Sequence, residues 1–129
     1  MLKSCVAGLA VVACKAPLAA DDWADYSRET YEAALASGEP FLLDFAATWW
    51  PVCRSQQRTV SALIDSNDEY KKVKLIKVDW DKHRRSPISS ELGIRRQSTM
   101  VVFKDGAEVD RIIAQTGKKA IEGLFKAVT

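Results

Sequence analysis

The sequence predicts an α/β domain with a central mixed sheet of about four strands sandwiched by helices. Three observations point to it. Phe41-Leu42-Leu43-Asp44-Phe45 is a near-continuous apolar run, the mark of a central strand covered on both faces. A segment with helical spacing follows, and then a second strand-like run from Val73 to Asp79, so two parallel strands are joined by a helical crossover. Towards the carboxyl end, Lys104-Asp105-Gly106 carries the Asp-Gly signature of a tight turn between strands at Thr99–Phe103 and Glu108–Ala114, which adds an antiparallel hairpin.

Each element has its own signal. Ser27 is placed to cap a first helix, Arg28–Ser37, with Tyr31, Ala34 and Leu35 on one face and Gly38 as its stop. Pro40 opens the strand Phe41–Ala46. After Trp49-Trp50-Pro51-Val52 a second helix is expected from Cys53 to Ser66, with Val60, Leu63 and Ile64 apolar at helical spacing and Asp65-Ser66-Asn67-Asp68 as its breaker. Asp81 to Pro87 reads as a charged connection, followed by a short helix, Ile88–Leu92, that stops at Gly93. Gly117 precedes a last helix, Lys118–Val128, whose Ile121, Leu124, Phe125 and Val128 face the core. No repeat, low-complexity block or linker divides residues 21–129, so they form one domain.

Composition narrows the function classes. Hydrophobic content of 47% and charged content of 28% are those of a folded globular chain, which excludes disorder. The net charge of +2 comes from Lys3 and Lys15; without them 17 bases face 17 acids, and nothing argues for nucleic acid as a partner. Residues 1–20 read as an export signal: Lys3 gives a positive start, Cys5 to Cys14 carries no charge, and Ala16, Ala19 and Ala20 precede Asp21-Asp22. The run is too short to span a membrane. Two outcomes are expected, cleavage near Ala20 or lipidation at Cys14, since Val11-Val12-Ala13-Cys14 is similar to a lipobox. Both place the product outside the cytoplasm, periplasmic, secreted or lipid-anchored, where disulfides persist. After cleavage only Cys53 remains, which rules out an internal disulfide.

The run Trp49, Trp50, Pro51, Val52, Cys53, Arg54, Ser55, Gln56 resembles the active-site segment of the thioredoxin superfamily, Trp-Cys-x-x-Cys-Arg-x-Gln, with one departure: Trp50 stands where the first cysteine belongs. Gly93-Ile94-Arg95 and Phe103-Lys104-Asp105-Gly106 extend the resemblance, which covers residues 27–128. It implies the thioredoxin fold, thiol–disulfide chemistry with protein thiols or a partner protein, and a monomer without cofactor, touching a membrane only through a lipid anchor or a redox partner. Cys53 matches the resolving cysteine, and a helix N-terminus favours its thiolate; the alternative is an inert buried thiol. Asp44 matches the buried acid that relays protons, a candidate general base. Ser98, before Thr99, stands where most members place a cis-proline; a cis bond before serine costs about 2.5–4 kcal/mol, so Gln97–Ser98 is expected trans. Trp49, Pro51, Ser98 and Thr99 are the candidate peptide contacts.

Thiol–disulfide exchange needs one thiolate to attack and a second thiol to resolve, and an indole does neither. Three readings follow: an oxidoreductase impaired at its first catalytic position, a non-catalytic module with Trp50 as a contact surface, or a one-cysteine enzyme using Cys53 with an external thiol. One base change separates a cysteine codon from a tryptophan codon. His83 is the sole histidine and is expected to be solvated, no cluster offers a metal site, and Trp23 and Trp80 read as packing residues.

Overall fold

The structure, a computed structural model, describes residues 23–129. The signal segment, with Cys5, Cys14 and Ala20, lies outside the described residues.

Five strands form one mixed sheet: β1 Ala24–Asp25, β2 Phe41–Ala46, β3 Lys74–Asp79, β4 Thr99–Lys104 and β5 Ala107–Ile113, in the spatial order β1-β3-β2-β4-β5. β3 runs parallel to both β1 and β2, β4 is antiparallel to β2, and β5 is antiparallel to β4. The expected count of four is thus one short. β1 has two residues, too few for any alternation to show, and exists because Ala24 and Asp25 pair with Ile76 and Lys77.

The helices are α1 Arg28–Ser37, α2 Pro51–Ser66, α3 Trp80–His83, α4 Pro87–Leu92 and α5 Lys118–Val128, with a 3-10 turn at Asp68–Lys72. Ser27 caps α1 by accepting from the Thr30 N–H, and Gly38 ends it at φ 71°, its N–H bonded to Leu35 O. α2 begins two residues earlier than expected because Pro51, with φ preset for a helix and no N–H to leave unpaired, occupies its first position. The charged connection holds the short α3, which the Asp79 carboxylate caps by accepting from Asp81 N and Lys82 N.

All six residues of β2 are buried, and alternate side chains serve two cores. Leu42 packs with Met100, Val60, Leu63, Leu124 and Phe125 under α2 and α5; Phe41, Leu43 and Phe45 pack with Tyr31, Val101, Ile88 and Trp80 under α1 and α4. Phe41 and Phe103 stack with centroids 4.5 Å apart, each burial contributing roughly 1.5–3 kcal/mol. The hairpin between β4 and β5 closes through Asp105 at φ 56° and Gly106 at φ 76°, the doubly positive turn its sequence announced. His83 is not solvated as expected: it is half-buried, packed edge-on against Tyr26 and hydrogen-bonded to Ser86 Oγ.

Candidate functional site

Strand direction gathers the candidate residues at one end of the sheet. β2 and β3 are parallel and finish there at Ala46 and Asp79; β4 starts there with Thr99 opposite Phe45, and β5 ends there with Ile113 opposite Thr99. The carboxyl ends of parallel strands are where open α/β sheets build sites. β2 leaves through a tight turn, closed by Trp50 N–H donating to Ala47 O at 2.9 Å, and enters α2. The expected strand–turn–helix corner is therefore present, with residue 50 at the N-cap and Cys53 in the first turn.

Cys53 is fully buried. Its Sγ lies 2.9 Å from Ser98 Oγ and accepts from Ala47 N–H at 3.4 Å. Ser98, also fully buried, sits at φ 67°, a left-handed conformation that costs a residue with a Cβ of order 1–3 kcal/mol. Four contacts hold it there. Ser98 N–H donates to Phe45 O at 2.7 Å, its carbonyl accepts from Ala114 N–H at 2.9 Å and from Gln56 Nε2 at 3.1 Å, and its hydroxyl meets the thiol. Gln56 also donates to Gln115 O at 2.9 Å, bracing the two loops that flank the thiol. No peptide bond among the described residues is cis, so Gln97–Ser98 is trans as expected. Thr99 is buried too, but its hydroxyl donates to Arg96 O at 2.8 Å and not towards Cys53.

The two indoles of the corner behave differently. Trp49 is 56% exposed, yet held: its Nε1–H donates to Asp81 Oδ2 at 2.7 Å, and it meets Trp50 edge to face at 5.5 Å. Trp50 is half-buried against the core under α1 and α4, and its Nε1–H is shut off from solvent without an acceptor. Pro51 is exposed beside them.

Under α2 lies Asp44, fully buried, with Lys77 opposite it on β3. Burial pushes its carboxyl up from 3.8 to about 7, against the opposing pull of a hydrogen bond from Gln57 Nε2 and of the Lys77 charge. That bond is long, 3.4 Å to Oδ2, and Oδ1 has no partner.

The sequence model of the family described as Thioredoxin matches residues 23–127. The chain belongs to the thioredoxin family. It is 32% identical over 96 residues to a thioredoxin of Aspergillus fumigatus, spanning 74% of this chain and 84% of that one. It is 34% identical over 83 residues to a thioredoxin of Porphyra purpurea, 64% of this chain and 74% of that one. Among solved structures, that of Trxlp from Edwardsiella tarda superposes with a TM-score of 0.70 at 30% identity, covering 78% of this chain and 97% of that one. The thioredoxin-like fold is thereby shown, and with it the general kind of protein, thiol–disulfide oxidoreductase.

On this thioredoxin-family scaffold the corner offers a shielded thiol, a buried acid that titrates near neutrality, and a fixed, exposed indole. Three contributors were not read from the sequence, Asp81 under Trp49 and Gln57 and Lys77 on Asp44; Gln56 stood in the motif, but its brace did not show there. Asp81 had a signal, since it follows β3 just as Trp49 follows the parallel β2, and the two must emerge side by side. Gln57 had none beyond lying on the core-facing side of α2. Its effect is measurable. Because its amide favours the ionised carboxylate, Gln57→Leu is expected to raise the Asp44 midpoint above about 7, by roughly half a unit to one unit. Carboxyl carbon NMR of Asp44 across a pH series reads this directly, and an unmoved midpoint would show that the bond carries no weight.

Proposed function

We propose that this thioredoxin-family chain is an exported protein of the thiol–disulfide oxidoreductase kind that engages protein thiols or disulfides, with its own redox cycle impaired at residue 50. One observation carries the reading: the Trp50 indole occupies the N-cap of α2, the seat of the family's attacking sulfur, above a Cys53 with no exposure. Exchange needs an accessible thiolate and a second thiol to resolve the mixed disulfide, and the described residues hold one cysteine, buried. The deciding assay is reductive cleavage of a protein disulfide by this chain beside its Trp50→Cys variant. The burial of Cys53 also weighs against a one-cysteine enzyme, for which a mixed disulfide trapped through Cys53 would be the support.

Export rests on the sequence of residues 1–20. Expressed in a bacterium with its full leader, the protein is expected in the periplasmic fraction, with a mass that starts at Asp21 or carries lipid on Cys14. An intact Met1 product in the cytoplasm would end that part of the reading. A second reading, a non-catalytic binding module, is favoured by Trp49, an exposed indole immobilised by Asp81 and so able to contact a peptide at little entropic cost.

A further inference from the structure

Two surface clefts flank α2 and share Arg58. One, of about 300 Å³, is lined by Trp23, Arg54, Gln57, Arg58 and Ser61. The other, of about 470 Å³, adds Ser55, Thr59, Leu63 and Lys118. Among the described residues no carboxylate lines either cleft. Ion pairs among the described residues hold Arg28 to Glu32 and Glu91, Lys71 to Asp68, Lys72 to Glu69 and Arg111 to Glu108, and Arg54, Arg58 and Lys118 are among the bases outside them. Arg54 and Arg58 stand four residues apart on one helix and line one cleft, so their guanidinium groups repel. Folding gains nothing from that pairing. It is also local, because the domain from residue 21 onward carries as many acids as bases.

We propose that this trough along α2 is a docking surface for an acidic segment of a partner protein, laid along the helix away from the Trp49–Trp50 corner. The proposal rests on the reading that the chain engages protein partners, and it gives that partner a chemistry. Residues four apart on a helix are separated by about 6 Å along its axis. Alternate residues of an extended strand are separated by roughly 6.6 Å and point the same way. Two acidic side chains spaced i, i+2 therefore meet Arg54 and Arg58 in register, each guanidinium fork taking one carboxylate. Lys118 extends the cationic rail, and the half-buried Trp23 side chain gives the segment an apolar floor at one end. A nucleic-acid strand is the less fitting occupant, since such binders carry a basic excess that this domain lacks.

The test uses the full domain, labelled with ¹⁵N, and an acetylated octapeptide of alternating Asp and Ser. Saturable shifts are expected in the amides of residues 54–62 and of Lys118 at low salt, fading as salt is raised. The Asn-Ser and Lys-Ser counterparts should leave those amides in place. The double variant Arg54→Gln/Arg58→Gln keeps the helix and should bind the acidic peptide at least about tenfold more weakly. Trp50→Cys should bind it unchanged, which separates this outcome from any result in the disulfide assay. The proposal is overturned if the acidic peptide moves none of these amides, if the double variant binds as tightly, or if an octathymidylate occupies the trough more tightly than the peptide.

Discussion

Trp50→Cys is expected to raise the rate of protein-disulfide reduction by roughly a hundredfold or more over this chain, which should itself stay near the uncatalysed background. The ground is geometric. Residue 50 caps α2 and Cys53 lies in its first turn, so a sulfur at position 50 would sit among the free amides of a helix N-terminus, where the thiolate is favoured. Side chains three apart across a helix start are neighbours, and the second thiol is already in place to resolve. The substitution also leaves the fold intact for a specific reason. The Trp50 Nε1–H is buried without an acceptor, a cost of about 1–3 kcal/mol that disappears with the indole and offsets part of the lost packing. Two controls assign the effect to sulfur. Trp50→Ser opens the same space and should stay inactive, and Cys53→Ser in the Trp50→Cys background should return the rate to background. A Trp50→Cys protein that is folded yet inactive would mean that the shielding of Cys53 by Ser98, not the missing sulfur, sets the defect.

The parts legible in the sequence were those written in local periodicity. β2 reads as buried because six consecutive residues offer no polar face but Asp44, and α5 reads correctly down to its four buried side chains because Ile121, Leu124, Phe125 and Val128 follow one stripe. β1 was not legible, since its two residues owe their conformation to a partner some fifty residues away and to no pattern of their own. The position of α2's first turn was set by Pro51 and not by the cysteine that draws the eye. In the site, the residue types came from the motif, but their contacts did not. Sequence shows a serine before Thr99; only the fold shows that its backbone is left-handed and pinned by four bonds with the thiol at one end. Long-range pairings such as Trp49 with Asp81 and Gln57 with Asp44 depend on strand order, which local patterns do not encode.

Asp44→Asn is expected to stabilise the domain by about 4 kcal/mol at pH 8 and to change it little near pH 4. Burial holds the native carboxyl at about 7 against 3.8 when it is free, so between those values the folded chain binds a proton that the unfolded chain has released. Stability must then fall as pH rises through that window, by about 1.4 kcal/mol per unit from this site. The contribution is whole below about 4, and its loss is complete above about 7. Asparagine keeps the shape and stays neutral, so it matches the protonated acid and removes the slope. Against a total stability of roughly 5–15 kcal/mol for a domain of this size, the gain at pH 8 is large. Urea unfolding of both proteins from pH 4 to 9 reads the difference, and parallel curves would contradict the buried-acid account. The same experiment bears on function. An ionised Asp44 lacks a second acceptor contact at Oδ1 and faces Lys77 across the strand pair, so the fold tolerates the charge without being built to favour it. A carboxyl with its midpoint at about 7 can take up or release a proton near neutrality, which is the property that the proposed reading of Asp44 as a general base needs.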